Sequence, residues 1–453
     1  MPDNSATKPQ TPEAQKENAY TPHPTFRQAL KFWIKLGFIS FGGPAGQISI
    51  MHTELVDNKK WVSNERFLNA LNYCMLLPGP EAQQLATYIG WLLHRLPGGI
   101  AAGAFFVIPS IFILFALSYT YAAYGAVPGV ASVFNGLKAA IMAIVVSAVI
   151  KIGEKALKNG IMIAIAALAF TAIYFLKIPF PVIVLGAGIT GLVGSYVLPA
   201  KFDILKGKTA EDFDAGYVKI CEDPVECHIN PSAKRTWLII SLFFLLWLVP
   251  VVVLYFAITS RVFFTEAIFF TKAAFLTFGG AYAVLAYIAQ AGVEQYAWLT
   301  GPQMIDGLGL AETTPGPLIM VVQLVGFMAG WNFSGSLSPL LGGLACSLIA
   351  TYFTFLPCFL FIFLGGPYIE KFRQNVRLSS ALSSITAAVV GVILNLAVWF
   401  GLQVLLPAGG GFNWFAALIG LAAFAAIQWF KVGMITVIAA AGGLGFVWYQ
   451  VIP

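Results

Sequence analysis

Apolar residues fill long runs near 28 to 50, 71 to 93, 98 to 121, 131 to 150, 161 to 177 and 179 to 198, and again near 237 to 258, 267 to 290, 305 to 330, 337 to 365, 381 to 406, 412 to 430 and 433 to 450. A helix needs about 20 mostly apolar residues to cross the hydrocarbon core of a bilayer. Each run is therefore a candidate membrane segment, and the pattern predicts an all-α polytopic membrane protein with at most thirteen crossings. Between the two sets lies a polar stretch, 200 to 236, with six Lys/Arg and seven Asp/Glu. It reads as a solvated cytoplasmic linker.

The two sets repeat each other. Phe41-Gly42-Gly43 recurs as Phe278-Gly279-Gly280, Trp61 as Trp298, and Pro78-Gly79-Pro80 as Pro315-Gly316-Pro317, all at one offset of 237 residues. With a small slip, the Phe105 to Pro109 segment recurs at Phe353 to Pro357, and Val145-Val146 resembles Val389-Val390. The reading is a first repeat over 27–199, a linking helix over 237–258 and a second repeat over 259–453. The unmatched linking helix makes the number of crossings between equivalent points odd, so the second repeat is expected upside down. Inverted repeats of this kind recur in secondary transporters, where the halves meet around a site near the midplane.

Charge refines the count of crossings. If all thirteen runs cross, eighteen Lys/Arg fall inside and five outside, leaving aside Lys35, Lys138 and Lys272 within runs. Three of the five exceptions are Lys59, Lys60 and Arg66. If the motif-bearing runs are re-entrant hairpins, the bias becomes twenty-one to two and the crossings drop to nine. Broken or re-entrant segments are therefore expected, and such backbone is tolerated at membrane depth only against protein or a water-filled cavity.

Composition excludes a soluble enzyme, since 58% of the residues are hydrophobic and 10% charged. The net charge of +6 is scattered through loops rather than gathered on a face, so positive-inside topology explains it and no nucleic-acid partner is expected. Residues 1–26 are polar and Pro-rich, without the apolar core of a secretory signal, and read as a disordered cytoplasmic tail. Cys74, Cys346 and Cys358 sit in apolar runs as small hydrophobes. Cys221, Cys227 and His228 share a polar loop without a metal-ligand spacing, so neither a metal nor a cofactor is expected.

The candidate chemistry lies in the repeated motifs. A Gly-Gly pair or Pro-Gly-Pro inside an apolar run interrupts the helical hydrogen-bond ladder. Where a half-helix restarts after the break, unpaired N–H groups and the positive end of the dipole suit an anion. A single such motif would be read as a kink or a packing site, but matched pairs favour function. Lys35 and Lys272 each lie six residues before the Phe of the Gly-Gly motif. A buried ammonium at membrane depth is costly, so the pair is read as lining a substrate path, with snorkelling as the alternative. Lys138 has no counterpart lysine and ranks lower. Gln47, Glu81, Gln83, Gln84 and Thr87, with Glu312, Thr313, Thr314 and Gln323, surround the breaks and offer hydrogen bonds to an oxyanion. Glu81 and Glu312 are also candidate proton carriers.

The segments FGGPAGQI, LPGPEAQQLATYIGW, TFGGAYAVL and TTPGPLIMVVQLVGF resemble the two-domain form of the chromate transporter family, over essentially the whole chain from Phe26 onward. Phe41, Gly42, Gly43, Pro44, Gln47, Pro78, Gly79, Pro80, Glu81, Gln83 and Gln84 match the first-half pattern, and Pro315, Gly316, Pro317 and Gln323 the second. The resemblance implies a bacterial cytoplasmic-membrane protein that lowers intracellular chromate. The residues themselves support an anion path. The alternatives are a sulfate transporter, an anion channel and an intramembrane enzyme. The enzyme lacks a catalytic spacing among the dispersed His23, His52, His94 and His228. The lipid bilayer is the expected surrounding, and a homo-oligomer is left open.

Overall fold

The computed structural model describes residues 21–202, 231–257, 260–368, 376–407 and 410–451. Most of the expected N-terminal tail and of the polar linker, with Cys221, Cys227 and His228, lies outside the described residues. The described chain is helical. The elements that carry the repeated motifs are short and occur in pairs. In the first repeat, α1 (Phe26–Ile39) is followed by α2 (Gly43–His52), and α3 (Asn64–Leu76) by α4 (Glu81–Tyr124).

Each pair is a hairpin that turns back at its motif. The first returns along itself: the Lys35 ammonium stands 3.7 Å from Glu54, and the Phe32 and Trp61 rings meet at 5.7 Å. The second does the same, with Tyr73 and Tyr88 on opposite arms 6.2 Å apart. It ends at His94 and Arg95, where the helical angles fail and α4 reverses, so that Gly90 of one arm lies against Ala102 of the other. His94 Nε2 is 2.9 Å from Pro24 O, which puts the foot of the second hairpin beside the start of the first.

The second repeat is built alike, from α9 (Arg261–Leu276), α10 (Ala281–Ala289), α11 (Gly301–Thr313) and α12 (Val321–Asn332). Phe269 of α9 meets Tyr296 and Trp298 beyond α10, and Asn332 Nδ2 donates to Trp298 O at 3.0 Å. Local detail follows the 237-residue offset. Thr53–Asn58 and Gln290–Gln295 are both π-helical, Lys60 and Ala297 both have positive φ, and Ser63 and Thr300 both cap the next helix. At Thr300 the capping box is complete, since Gln303 reaches back to the Thr300 N–H at 2.8 Å.

Among the described residues, nine apolar helices lie outside the four hairpins. They are the second arm of α4, α5 (Pro128–Ala156), α6 (Gly160–Tyr174), α7 (Phe180–Val197), α8 (Ala233–Ala257), α13 (Pro339–Gly365), α14 (Val376–Leu405), α15 (Trp414–Gln428) and α16 (Met434–Val451). Six described helices are long and apolar enough to span a bilayer, and α6, α15 and α16 are shorter apolar helices. The second arm of α4 and α13 run antiparallel through the centre. Gly99 lies against Phe363 near one face, Ser110 reaches Pro315 in the middle, and Tyr119 meets Trp331 near the other. The feet of the first repeat's hairpins, at Pro24, Trp91 and His94, sit with Gly366 at one face. Those of the second repeat, at Ser260 and Phe333, are joined by a 3.1 Å hydrogen bond at the other. The halves are therefore inverted.

Single cysteines at Lys60 and Gln295, both exposed at the turns of equivalent hairpins, should react with an impermeant thiol reagent from opposite sides of the membrane. Labelling of both from one side would contradict the inverted arrangement.

Candidate functional site

The four hairpin tips meet in pairs across the repeat boundary. The Gly79 N–H donates to Thr277 O at 2.8 Å, and the Gly316 N–H donates to Ser40 O at 2.8 Å. Thr277 is the equivalent of Ser40, and Gly316 of Gly79, so one bond is the image of the other. Each Pro-Gly-Pro turn thus satisfies the backbone where the other repeat's Gly-Gly helix stops. An unpaired peptide group at this depth would cost several kcal/mol.

The glycines are required for different reasons. Gly42 and Gly43 have φ of 86° and 67°, Gly279 and Gly280 of 76° and 95°, a region that side chains rarely adopt. A Cβ on Gly43 would nevertheless meet nothing within 4 Å, so the first tip borders open space. Gly79 and Gly316, at 132° and 102°, are also crowded. A Cβ at Gly79 would press on Gln84 and on Cys358 Sγ at 2.9 Å, and one at Gly316 would overlap Ser110.

Polar side chains staple the tips. Gln47 Nε2 donates to Gly316 O at 2.6 Å and Ser40 O at 3.2 Å, Gln84 Nε2 to Pro78 O at 2.8 Å, and Gln323 Nε2 to Ile111 O at 2.7 Å. Ser110 Oγ donates to Pro315 O. The carboxamide oxygens of Gln83, Gln84 and Gln323 are buried without partners. The Pro-Gly-Pro turns are buried, whereas Phe41, Gly43, Phe278, Gly279 and Gly280 are half-buried and Gly42 is exposed.

The structure brings Phe41, Gly42, Gly43, Gln47, Pro78, Gly79, Pro80, Glu81, Gln84, Gly279, Gly280, Pro315, Gly316, Pro317 and Gln323 to the tips or the helix turns that support them. Half-helices begin at Gly43, Glu81 and Ala281, and a 3₁₀ turn at Leu318 opens the fourth return. Their N-terminal ends, four in all, start at this junction.

Lys35 and Lys272 stand elsewhere. Lys35 is 60% exposed, pairs with Glu54, and lines a cleft of about 530 Å³ with His23, Gln28, Lys31, Lys59 and Trp61. Lys272 is exposed on the outer side of α9.

Two charged groupings were not read from the sequence. Lys138 Nζ lies 3.4 Å from Asp306 Oδ2, and the same oxygen accepts from Tyr121 at 2.8 Å. The pair is buried and joins the two repeats. Near the tips, Glu81 and Glu312 come from opposite repeats to the start of α10. Glu81 Oε1 lies 3.8 Å from where a Gly280 Cβ would stand, and Glu312 accepts from Tyr282 at 2.5 Å. Asp306 and Lys138 occupy positions unmatched in the other repeat, and a search by the 237-residue offset passes over them.

The sequence profile described as "Chromate transporter" matches residues 27–192 and 264–446. The chain is 27% identical over 390 residues to the "Chromate transport protein" of Cupriavidus metallidurans, covering 85% of each chain. It is 29% identical over 382 residues to that of Pseudomonas aeruginosa, covering 83% of this chain and 81% of the relative. It is 27% identical over 434 residues to the "Probable chromate transport protein" of Synechococcus elongatus, covering 94% and 97%. No solved structure matches.

Removing one partner of the buried pair leaves a charge without compensation, at a cost of about 3 to 5 kcal/mol. Asp306→Asn or Lys138→Met alone should lower the unfolding temperature of the detergent-purified protein markedly. The Lys138→Met, Asp306→Leu double variant should recover most of the loss. Equal damage in all three would show that the two residues do not act as a pair.

Proposed function

This chain belongs to the chromate transporter family, and on that premise we propose that it exports chromate through a site at the junction of the four hairpin tips. The observation that supports this reading is the reciprocal pair of hydrogen bonds, Gly79 to Thr277 and Gly316 to Ser40, which joins the four hairpin tips in two pairs related by the repeat. Half-helix starts at the tips present N–H groups and positive dipole ends, the natural complement of a tetrahedral oxyanion. Inverted repeats meeting there supply two related conformations, each opening the junction to one side.

Direction follows from charge. Moving one elementary charge across the membrane potential is worth about 2.3 kcal/mol per 100 mV, hence roughly twice that for a dianion. An inside-negative bacterial cytoplasmic membrane therefore drives chromate outward. The face that holds Lys31, Lys59, Lys60, Arg66, Arg95 and Lys155 is assigned to the cytoplasm, together with the N-terminus and the linker around Lys206. There Lys31, Lys35 and Lys59 give the cleft beside the first hairpin a positive field that raises the local oxyanion concentration. Lys272 is assigned the corresponding approach on the outer side.

Radiolabelled chromate and sulfate flux in proteoliposomes, with potential and pH gradient set independently, tests the reading. Saturable chromate flux that follows the potential is expected, with sulfate as the competing dianion. A linear, unsaturating flux would favour a channel.

Gly43→Val and Gly280→Val should abolish flux while the protein still inserts, because their positive φ excludes a β-branched residue. Near-normal flux from both would remove the tips from the path. For Lys35→Gln and Lys272→Gln, which remove an exposed cation from each approach, chromate flux should fall at low ionic strength and recover towards wild type as salt screens the field. Wild-type flux in both at low ionic strength would take the lysines out of the path.

A further inference from the structure

Two carboxyl groups, one from each repeat, flank a single half-helix start. Glu81 opens the return arm of the first repeat's second hairpin, and its Oε1 approaches Gly280. Glu312, near the end of α11, is buried and accepts the hydroxyl hydrogen of Tyr282, two residues beyond Gly280. Both therefore face the first turn of α10, where the Gly279-Gly280 break opens. An acidic pair is an unexpected neighbour for an anion path. The positive dipole end of α10 lies between the two carboxyl groups, and Tyr282 donates to one of them.

We propose that Glu81 and Glu312 act as internal stand-ins for the transported oxyanion and take up protons when it binds, so that anion and protons load the carrier together. This rests on the reading of the tips as the oxyanion site. The physical reason is repulsion between like charges. A dianion and two carboxylates within a few Å, away from bulk water, cannot all keep their charge, and a proton on a carboxyl is the cheapest way to relieve them.

The titratable and charged groups facing these carboxyls are few. Cys74 of α3 and Lys155 of α5 act on Glu81, and Tyr282 of α10 and Lys151 of α5 act on Glu312. Asp306, two turns earlier on α11, is held by Lys138 and Tyr121. Lys151 and Lys155 are exposed and lie on the helix end that points to the cytoplasmic face. One proton taken up with a dianion leaves a net charge of −1, which an inside-negative potential still drives outward.

The test is oxyanion binding to the purified full-length protein in detergent, using sulfate, whose charge is constant between about pH 5 and 8, and chromate on the alkaline side of its own protonation. Proton uptake in a weakly buffered solution is measured in the same titration. The wild type should take up about one proton per oxyanion, shared between the two carboxyls, and its apparent Kd should tighten about tenfold for each unit by which the pH falls. Glu81→Gln and Glu312→Gln should each reduce the uptake and flatten the pH dependence, and the double variant should bind without uptake. Binding of either anion with no proton uptake, or with the same pH dependence in the double variant as in the wild type, would overturn the inference and leave the site reading intact. If neither anion binds the wild type at any pH, the site reading fails and the inference with it.

Discussion

Every feature at the centre of this protein depends on one constraint: a peptide backbone broken inside a bilayer must find partners within the protein. The chain breaks its helices four times near mid-depth, at Gly42-Gly43, Pro78-Gly79-Pro80, Gly279-Gly280 and Pro315-Gly316-Pro317. It then pays for each break across the repeat boundary, with Gly79 bonded to Thr277 and Gly316 to Ser40. Because the donors and acceptors belong to opposite repeats, neither half is complete alone. Two further bonds, from Ser110 to Pro315 and from Gln323 to Ile111, tie the second repeat's hairpin to the central arm of α4. A junction paired through its backbone results, with half-helix starts left over to face a substrate.

Around that junction the charges are arranged asymmetrically, although the backbone is nearly symmetric. Glu81 and Glu312 both flank the Gly279-Gly280 tip. Lys138 and Asp306 close a buried pair between α5 and α11, at a level where the second repeat has no matching charge. An inverted repeat with equal halves would present the same face to both sides. Unequal charges on equal scaffolds give the two sides different electrostatics.

Much of this was legible in the sequence, because the bilayer restricts the choices. Run lengths fixed the helical class, and the single offset of 237 located the tips in both halves. The Lys/Arg bias favoured hairpins over crossings, since Lys59, Lys60 and Arg66 would otherwise stand on the wrong side. The pairing of Pro-Gly-Pro with the opposite repeat's Gly-Gly was not legible, because offset matching relates equivalent residues and says nothing about contacts between inequivalent ones. The facing of Lys35 and Lys272 was also hidden. Position in a run gives depth, whereas the side of a hairpin helix that meets protein depends on its neighbours, and both lysines stand on exposed sides. The pairing of Asp306 with Lys138 was hidden because Lys138 lacks a counterpart lysine and Asp306 looks ordinary until the fold puts them 3.4 Å apart.

The central claim is a location, so the most direct measurement is one that sees the oxyanion. An electron cryo-microscopy structure of the protein in lipid nanodiscs with saturating chromate, compared with one in its absence, places the ligand by difference density. The account predicts a tetrahedral feature at the junction, within hydrogen-bonding distance of the backbone N–H groups beginning α2 or α10. Density confined to the cleft lined by Lys31, Lys35 and Lys59, with the tips unchanged and empty, would contradict it.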